Sequence, residues 1–261
     1  MPFRRVPSMH FRRWSMASAV GGNCPMPWQE DQGRGMNFFS RDKTGSKIRG
    51  EFFRSREIDL VIDVGANKGQ YAKEIRKSGF KGQIISFEPV QETYNHLVKV
   101  SNRDKFWDVR KTGVGARSGT ATINVSKNSV YSSFREQTSL APEFSKKSAV
   151  VLTETVPVIA LDDLDFGSAK SIFLKIDTQG YEQEVLSGAH KLLSRCEGVQ
   201  LELPVEHLYA DVWSFTEAVA YMDEAGFLPA HFQTVNPIHD DPSSAIEFDC
   251  IFRRKRQSSM T

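Results

Sequence analysis

Cysteine is scarce in this chain: Cys24, Cys196 and Cys250 are the only three in 261 residues. An odd number with no C-x-x-C spacing excludes a disulfide framework and a thiolate zinc site, and fits a reducing compartment. Long apolar runs are also missing. No window approaches eighteen uninterrupted apolar residues, and the N-terminus has no continuous apolar segment of the secretory kind, so the expectation is a cytoplasmic chain with no membrane span. Charge of one sign is lacking as well: 34 Lys and Arg face 32 Asp and Glu, a net of +2. The surplus sits at the ends, in Arg4, Arg5, Arg12, Arg13 and Arg34 and in the basic run 253–256. The rest is slightly acidic, which excludes a global nucleic-acid footprint.

Residues 1–35 hold five arginines against two acids among scattered Ser, Met, Gly and Pro, a composition too poor in apolar residues to build a core. They read as a disordered basic tail. An Arg-rich, acid-poor start also resembles an organellar transit peptide, and Met36 offers an alternative start. Residues 36–57 form a helical or extended lead-in, 58–252 one α/β domain, and 253–261 a basic C-terminal tail.

From Ile58 onward, short apolar runs alternate with amphipathic stretches, the pattern of βαβ units around a parallel sheet. Strands are expected at 58–64, 83–88, 106–112, 171–177, 198–203, 228–233 and 246–252, and helices at 68–79, 90–101, 180–194 and 214–226. Between Thr112 and Asp165 the alternation breaks. Two β-like stretches, "GTATINVS" (119–126) and "TETVPVIAL" (153–161), predict a β-rich insertion after the third sheet strand, folded as an antiparallel flap.

The strand ends carry the chemistry. They read Asp63-Val64-Gly65-Ala66-Asn67-Lys68-Gly69, Phe87-Glu88-Pro89, Thr112-Gly113-Val114, Asp177-Thr178-Gln179-Gly180 and Glu202-Leu203-Pro204, and in an open parallel sheet ligands bind at these carboxyl ends. Gly65 and Gly69 permit close backbone approach before a helix that offers free N–H groups. Glu88, about twenty residues on, suits a ribose diol. Two phosphate-binding patterns are absent. The loop lacks the middle glycine of G-x-G-x-x-G, and Lys68-Gly69-Gln70 is not G-K-[ST]. An adenosine-containing cofactor without a pyrophosphate remains, and S-adenosylmethionine, with its sulfonium and amino-acid tail, suits the acid-rich edge. Taken singly, Glu88 also reads as a solvated strand end and Asp177 as a helix cap.

Together, "DVGANKGQY" (63–71), "FEP" (87–89), Val114-Gly115-Ala116, "NSVYSSF" (128–134), "VPVIALDDL" (156–164) and "LKIDTQGYEQEVLSGA" (174–189) resemble the FkbM family of S-adenosylmethionine-dependent methyltransferases over roughly 58–252. The resemblance implies a Rossmann-like class I sheet of seven strands, the last antiparallel, and methyl transfer to a hydroxyl of a sugar, glycolipid or polyketide-type acceptor. Carried over by position, it implies cofactor contacts from Asp63, Gly65, Asn67 and Gly69, a ribose clamp at Glu88-Pro89, and an adenine wall at Gly113-Val114. A catalytically inactive binding or assembly protein that keeps the fold is the alternative.

An alcohol needs to lose its proton before it attacks a methyl group, so a general base or a metal is expected at the acceptor. Asp177, at the end of the central strand, is the first candidate, followed by Glu202 and His207. These three are also oxygen and nitrogen donors that can hold a divalent cation, though their presence near one edge does not establish a metal. "IHDDP" (238–242) reads as a turn rather than a metal site.

Overall fold

In the computed structural model, which describes residues 43–238 and 241–256, the alternation becomes a sheet and a separate flap. The expected tail at 1–35, Cys24 and residues 257–261 lie outside the described residues, as do residues 239–240 of the turn expected over "IHDDP" (238–242). The strands are β1 (Leu60–Val64), β2 (Gln83–Phe87), β3 (Trp107–Arg110), β4 (Gly113–Val114), β5 (Gly119–Ser126), β6 (Val150–Ile159), β7 (Ile172–Ile176), β8 (Cys196–Pro204), β9 (Phe227–Ile238) and β10 (Asp241–Arg254). The helices are α1 (Lys43–Ser55), α2 (Gln70–Lys77), α3 (Gln91–Ser101), α4 (Leu140–Phe144), α5 (Glu182–Ser187), α6 (His190–Leu193) and α7 (Phe215–Glu224).

Seven strands form the main sheet in the order β3-β2-β1-β7-β8-β10-β9. Neighbours run parallel except β10, which is antiparallel to both β8 and β9. This is the Rossmann-like methyltransferase sheet with its last strand reversed. Chain order reverses between β1 and β7, because the chain leaves β1 for β2 and β3 and returns to the other side of β1. The crevice between their carboxyl ends is where such folds place a ligand.

Strands β1 and β7 are buried along their whole length, as strands covered on both faces must be. One face packs under α1, α2 and α3 around Phe53, Tyr71, Ile75, Leu97 and Phe173. The other packs under α5, α6 and α7 around Ile62, Leu174, Leu186, Leu192 and Met222. The flap is a second sheet, ordered β4-β6-β5, with β5 and β6 antiparallel. Its small core is Val90, Ile123, Val125 and Val156, with Phe134 packed against them.

Three boundaries differ from the expectation, and the lead-in takes one of its two expected forms. Strand three stops at Arg110, and Gly113-Val114 pair with Val158-Ile159 in the flap sheet instead. The helix expected over 180–194 is two, α5 and α6, parted at Gly188-Ala189, and a Cβ at Gly188 would lie 2.1 Å from the Gly115 carbonyl oxygen, where the backbone crosses. The lead-in is helical over Lys43–Ser55. Finally, β10 continues through Arg253 and Arg254, which had been placed in the basic tail. The Arg254 guanidinium lies 4.6 Å from the Phe227 ring centroid and donates to the Cys196 and Leu193 carbonyls, so apolar stacking and carbonyl caps hold it in the sheet.

Helix α1 reaches the sheet through aromatic edges: Phe53 and Phe52 lie 4.8 Å and 5.6 Å from the Phe173 ring centroid. Phe173→Ala should therefore cost about 3–5 kcal/mol of stability through cavity formation, measured by urea denaturation.

Candidate functional site

Two strand ends touch at the switch point. Gly65 has φ 73°, and a Cβ there would sit 1.8 Å from the Asp177 carbonyl oxygen. The glycine is required by this backbone contact between the loops after β1 and β7, and not only by a ligand. Gly69, at φ 78°, lies under the Trp107 ring, which a Cβ would approach to 2.7 Å. It sets the packing of α2 on β3 and does not line the cleft, which corrects its expected ligand contact.

Beneath this contact lies a buried charge cluster. Asp63 is fully buried, accepts from Ser86 Oγ at 3.1 Å, and has Lys175 Nζ 3.1 Å from Oδ1. The same ammonium donates to the Gly65 carbonyl at 3.0 Å and lies 3.5 Å from Asp177 Oδ2. These acids hold the Lys175 ammonium well above its ordinary range against burial, which pulls the other way and is the largest effect. With no exposed surface, Asp63 does not contact a ligand directly. Its expected role is corrected: it anchors Lys175, which lines the cleft.

The cleft, about 410 Å³, runs along the strand ends. Of the residues singled out in the sequence, Gly65, Asn67, Glu88, Pro89, Gly113, Val114, Asp177 and Glu202 line it. Glu88 is nearly buried, and its two oxygens accept from the Asn67 and Val90 backbone N–H groups, each at 2.9 Å. Burial pushes its carboxyl up to about 7 despite those donors. Each oxygen keeps a further lone pair for a ligand. Asn67, at φ 48°, turns its side-chain oxygen to Lys68 N–H and Ser129 Oγ, tying the loop to the flap.

Gln179 organises the acids. Its amide nitrogen donates to Asp177 Oδ1 at 3.0 Å and to Glu202 Oε2 at 2.6 Å, while its oxygen lies 3.0 Å from the Tyr209 hydroxyl. Both amide hydrogens are thus spent on holding two carboxylates together. Burial first, then Glu247, Asp177, Asp249 and Glu182, pushes Glu202 well above the usual carboxyl range. Asp249, opposite Glu202 on β10, is raised to about 6 by burial and by Asp177. The cap reading of Asp177 fails, since α5 starts without a side-chain cap; the turn before it is held instead by the Glu182 carboxylate, which accepts from the Thr178 and Gly180 N–H groups.

His207 does not join them. Val205 and Glu206 both donate backbone N–H to the Ile246 carbonyl, which carries the chain away from the cleft and leaves His207 exposed. Its expected catalytic place is therefore corrected. Among the described residues, no group of three or more His, Cys, Asp or Glu side chains is arranged to hold a metal ion. Asp162 caps α6, accepting from Lys191 and Leu192 N–H, while Asp163 accepts from Ser118 Oγ.

Lys175 reads in the sequence as a partner for an acid of the rim, and the structure pairs it with Asp63 and Asp177. Other lining residues escaped the sequence reading for want of a local signal. Arg49, Gln200, Gln233 and Asp249 gave none, since they converge only in space. Arg49, on α1, donates to Gln200, pairs with Glu74 and lies 4.8 Å over the Tyr71 ring.

The donor set fits an adenosylated sulfonium. Phe87, Val90, Val114, Ile123 and Phe134 offer an apolar wall for an aromatic base, Glu88 offers acceptors for a diol, and Asp177, Glu202 and Asp249 surround the space where a cation would sit. The volume lies in the range of small-molecule sites. Because Lys175 neutralises a fully buried carboxylate, Lys175→Met should destabilise the fold by about 3–5 kcal/mol, read from denaturation midpoints.

The Methyltransferase FkbM domain profile matches residues 63–229. No relative among the curated proteins matches. Solved structures that the chain matches include a putative RNA methyltransferase from Pyrococcus horikoshii, 12% identical, covering 82% of this chain and 83% of its own, with a TM-score of 0.45. Magnesium protoporphyrin IX methyltransferase from Synechocystis PCC 6803 with bound SAM is 8% identical, with coverages of 82% and 79% and a TM-score of 0.47. An rRNA methylase from Streptococcus thermophilus is 11% identical, with coverages of 83% and 98% and a TM-score of 0.46. The match over most of the β1-to-β9 span, on a sheet of this strand order, leads to one conclusion: the chain belongs to the FkbM methyltransferase family, whose members draw their methyl group from S-adenosylmethionine.

Proposed function

We propose that this cleft methylates a hydroxyl oxygen of a sugar, glycolipid or polyketide-type acceptor. The observation that carries the reading is the Asp177–Gln179–Glu202 bridge, which opens into the same cleft as Glu88. The amide and carboxylate side chains of Gln70, Gln200, Gln233 and Asp249 along the remaining wall favour a polyhydroxylated acceptor, since they supply paired donors and acceptors.

When bound, S-adenosylmethionine supplies an electrophilic methyl group on a sulfonium centre. Glu88 accepts hydrogen bonds from the ribose diol through its free lone pairs, and the Gly113-Val114 turn with Ile123 and Phe134 packs against the adenine. Gly65, Asn67 and the loop N–H groups hold the amino-acid end. Asp177 takes the acceptor proton at Oδ2, the oxygen that Gln179 leaves free. Lys175 keeps that carboxylate in place from below. Glu202, pushed toward its neutral form, hydrogen-bonds the acceptor. Alignment and exclusion of water supply the remainder of the rate. A gain of one methyl group on a member of a panel of hydroxylated glycans, read by mass spectrometry, tests the acceptor class.

Two variants probe the roles. Burial favours neutral Glu88, up to about 7, whereas diol donors favour its carboxylate. Cofactor binding should therefore release a proton, and affinity should fall as pH drops through about 7. By calorimetry, Glu88→Gln should weaken binding above that pH by about 2–4 kcal/mol and flatten the pH dependence. Asp177→Asn should leave cofactor affinity unchanged while turnover falls about 10²–10⁴-fold, and surviving turnover would place the base elsewhere.

A further inference from the structure

The flap ends in an apolar surface that its own core does not use. Val150, Val151 and Leu152 are 45%, 58% and 49% exposed, and Val130 is 37% exposed. The flap's buried cluster is complete without them. A register shift produces the exposure: Ser126 pairs with Val150 and Val125 with Leu152, so Val151 is an extra residue with no partner opposite. Such a bulge bends the strand and turns consecutive side chains outward. On its other side, β6 meets β4 only at Val158-Ile159, so the 150–152 segment is also a free edge there.

Lysines surround this patch. Lys127 donates its N–H to the Ala149 carbonyl and Asn128 donates to the Lys147 carbonyl, which sets Lys127, Lys146 and Lys147 beside the three apolar residues. All three are exposed, and among the described residues none forms an ion pair. The stretches 119–135 and 144–153 contain no acid. The patch also adjoins the site, since Ser129 to Ser132, which follow Lys127 and Asn128, line the cleft.

We infer that the flap tip docks on an anionic lipid bilayer, with Val150, Val151 and Leu152 entering the interface and Lys127, Lys146 and Lys147 meeting the headgroups, so that the cleft receives its acceptor from the membrane. The acceptor half of this statement rests on the reading above and narrows it to a lipid-borne hydroxyl. An apolar surface ringed by cations is the combination that binds anionic interfaces. A second copy fits less well, because two-fold pairing of this short segment brings three lysines against three.

Flotation of the full chain with vesicles of phosphatidylcholine, with and without phosphatidylglycerol, tests docking without acceptor or turnover. The chain should float only with the anionic vesicles. Val151→Asp with Leu152→Asp should abolish flotation, and Lys146→Glu with Lys147→Glu should reduce it at least about tenfold. Heat of S-adenosylmethionine binding, unchanged in both variants, shows that the fold and the cofactor site persist. If the aspartate pair fails to fold, Val151→Thr with Leu152→Thr, which keeps strand-forming residues, should still lower flotation. Indifference to anionic vesicles, equal flotation of parent and flap variants, or a dimer in solution that Val151→Asp dissociates would each overturn docking. Absence of S-adenosylmethionine binding in the parent chain would instead overturn the methyltransferase reading.

Discussion

A single buried ammonium holds the switch point together. Lys175 stands where the ends of β1 and β7 meet, and it is shared by the Asp63 carboxylate, the Gly65 carbonyl and Asp177. Of these, the fully buried Asp63 carboxylate is the one that burial would otherwise penalise most, while Asp177 stays partly exposed. Their mutual neutralisation lets the two loops approach until Gly65 has no room for a side chain. The floor of the cleft is therefore an electrostatic knot rather than an apolar plug, and the groups above it inherit their positions from it. Asp177 is held from below by Lys175 and from the side by Gln179, and Gln179 in turn reaches Glu202 and Tyr209.

The acids beyond this knot are offset less: Lys175 and Arg49 pull Asp249 down, yet burial outweighs them. Glu202, Asp249 and Glu182 all titrate upward because burial outweighs their hydrogen bonds. The cleft thus joins a neutralised end near β1 to an end where carboxyl groups crowd one another, and a cationic ligand relieves that crowding. Charge distribution and strand order point to the same place.

Much of this was legible in the sequence, and the reasons differ by element. The seven sheet strands were readable because burial on both faces demands apolar runs, and their carboxyl ends because Asp63, Glu88, Asp177 and Glu202 interrupt those runs abruptly. The flap strand 119–126 was found to the residue from its alternation. Local pattern failed where the decisive neighbour is far along the chain. Gly188 must be small where the Gly115 backbone crosses it, and Gly69 answers to Trp107 rather than to a ligand. His207 looked placed by its nearness to Glu202 in sequence, yet backbone bonds to Ile246 turn it outward. Gln179 carried no role of its own in the strand-end motif, and its two acidic partners became visible only when β7 and β8 lay side by side.

Arg49 has a broader consequence. It forms part of the cleft wall from α1, and Gln233 and Asp249 do so from the closing hairpin, all three outside the span that the family profile matches. The profile-matched strand ends and this portion of the wall thus lie on separate stretches of chain. The mouth of the crevice is shaped partly by the two flanks, which grip the matched span through Arg49 on Glu74 and Asp249 opposite Glu202.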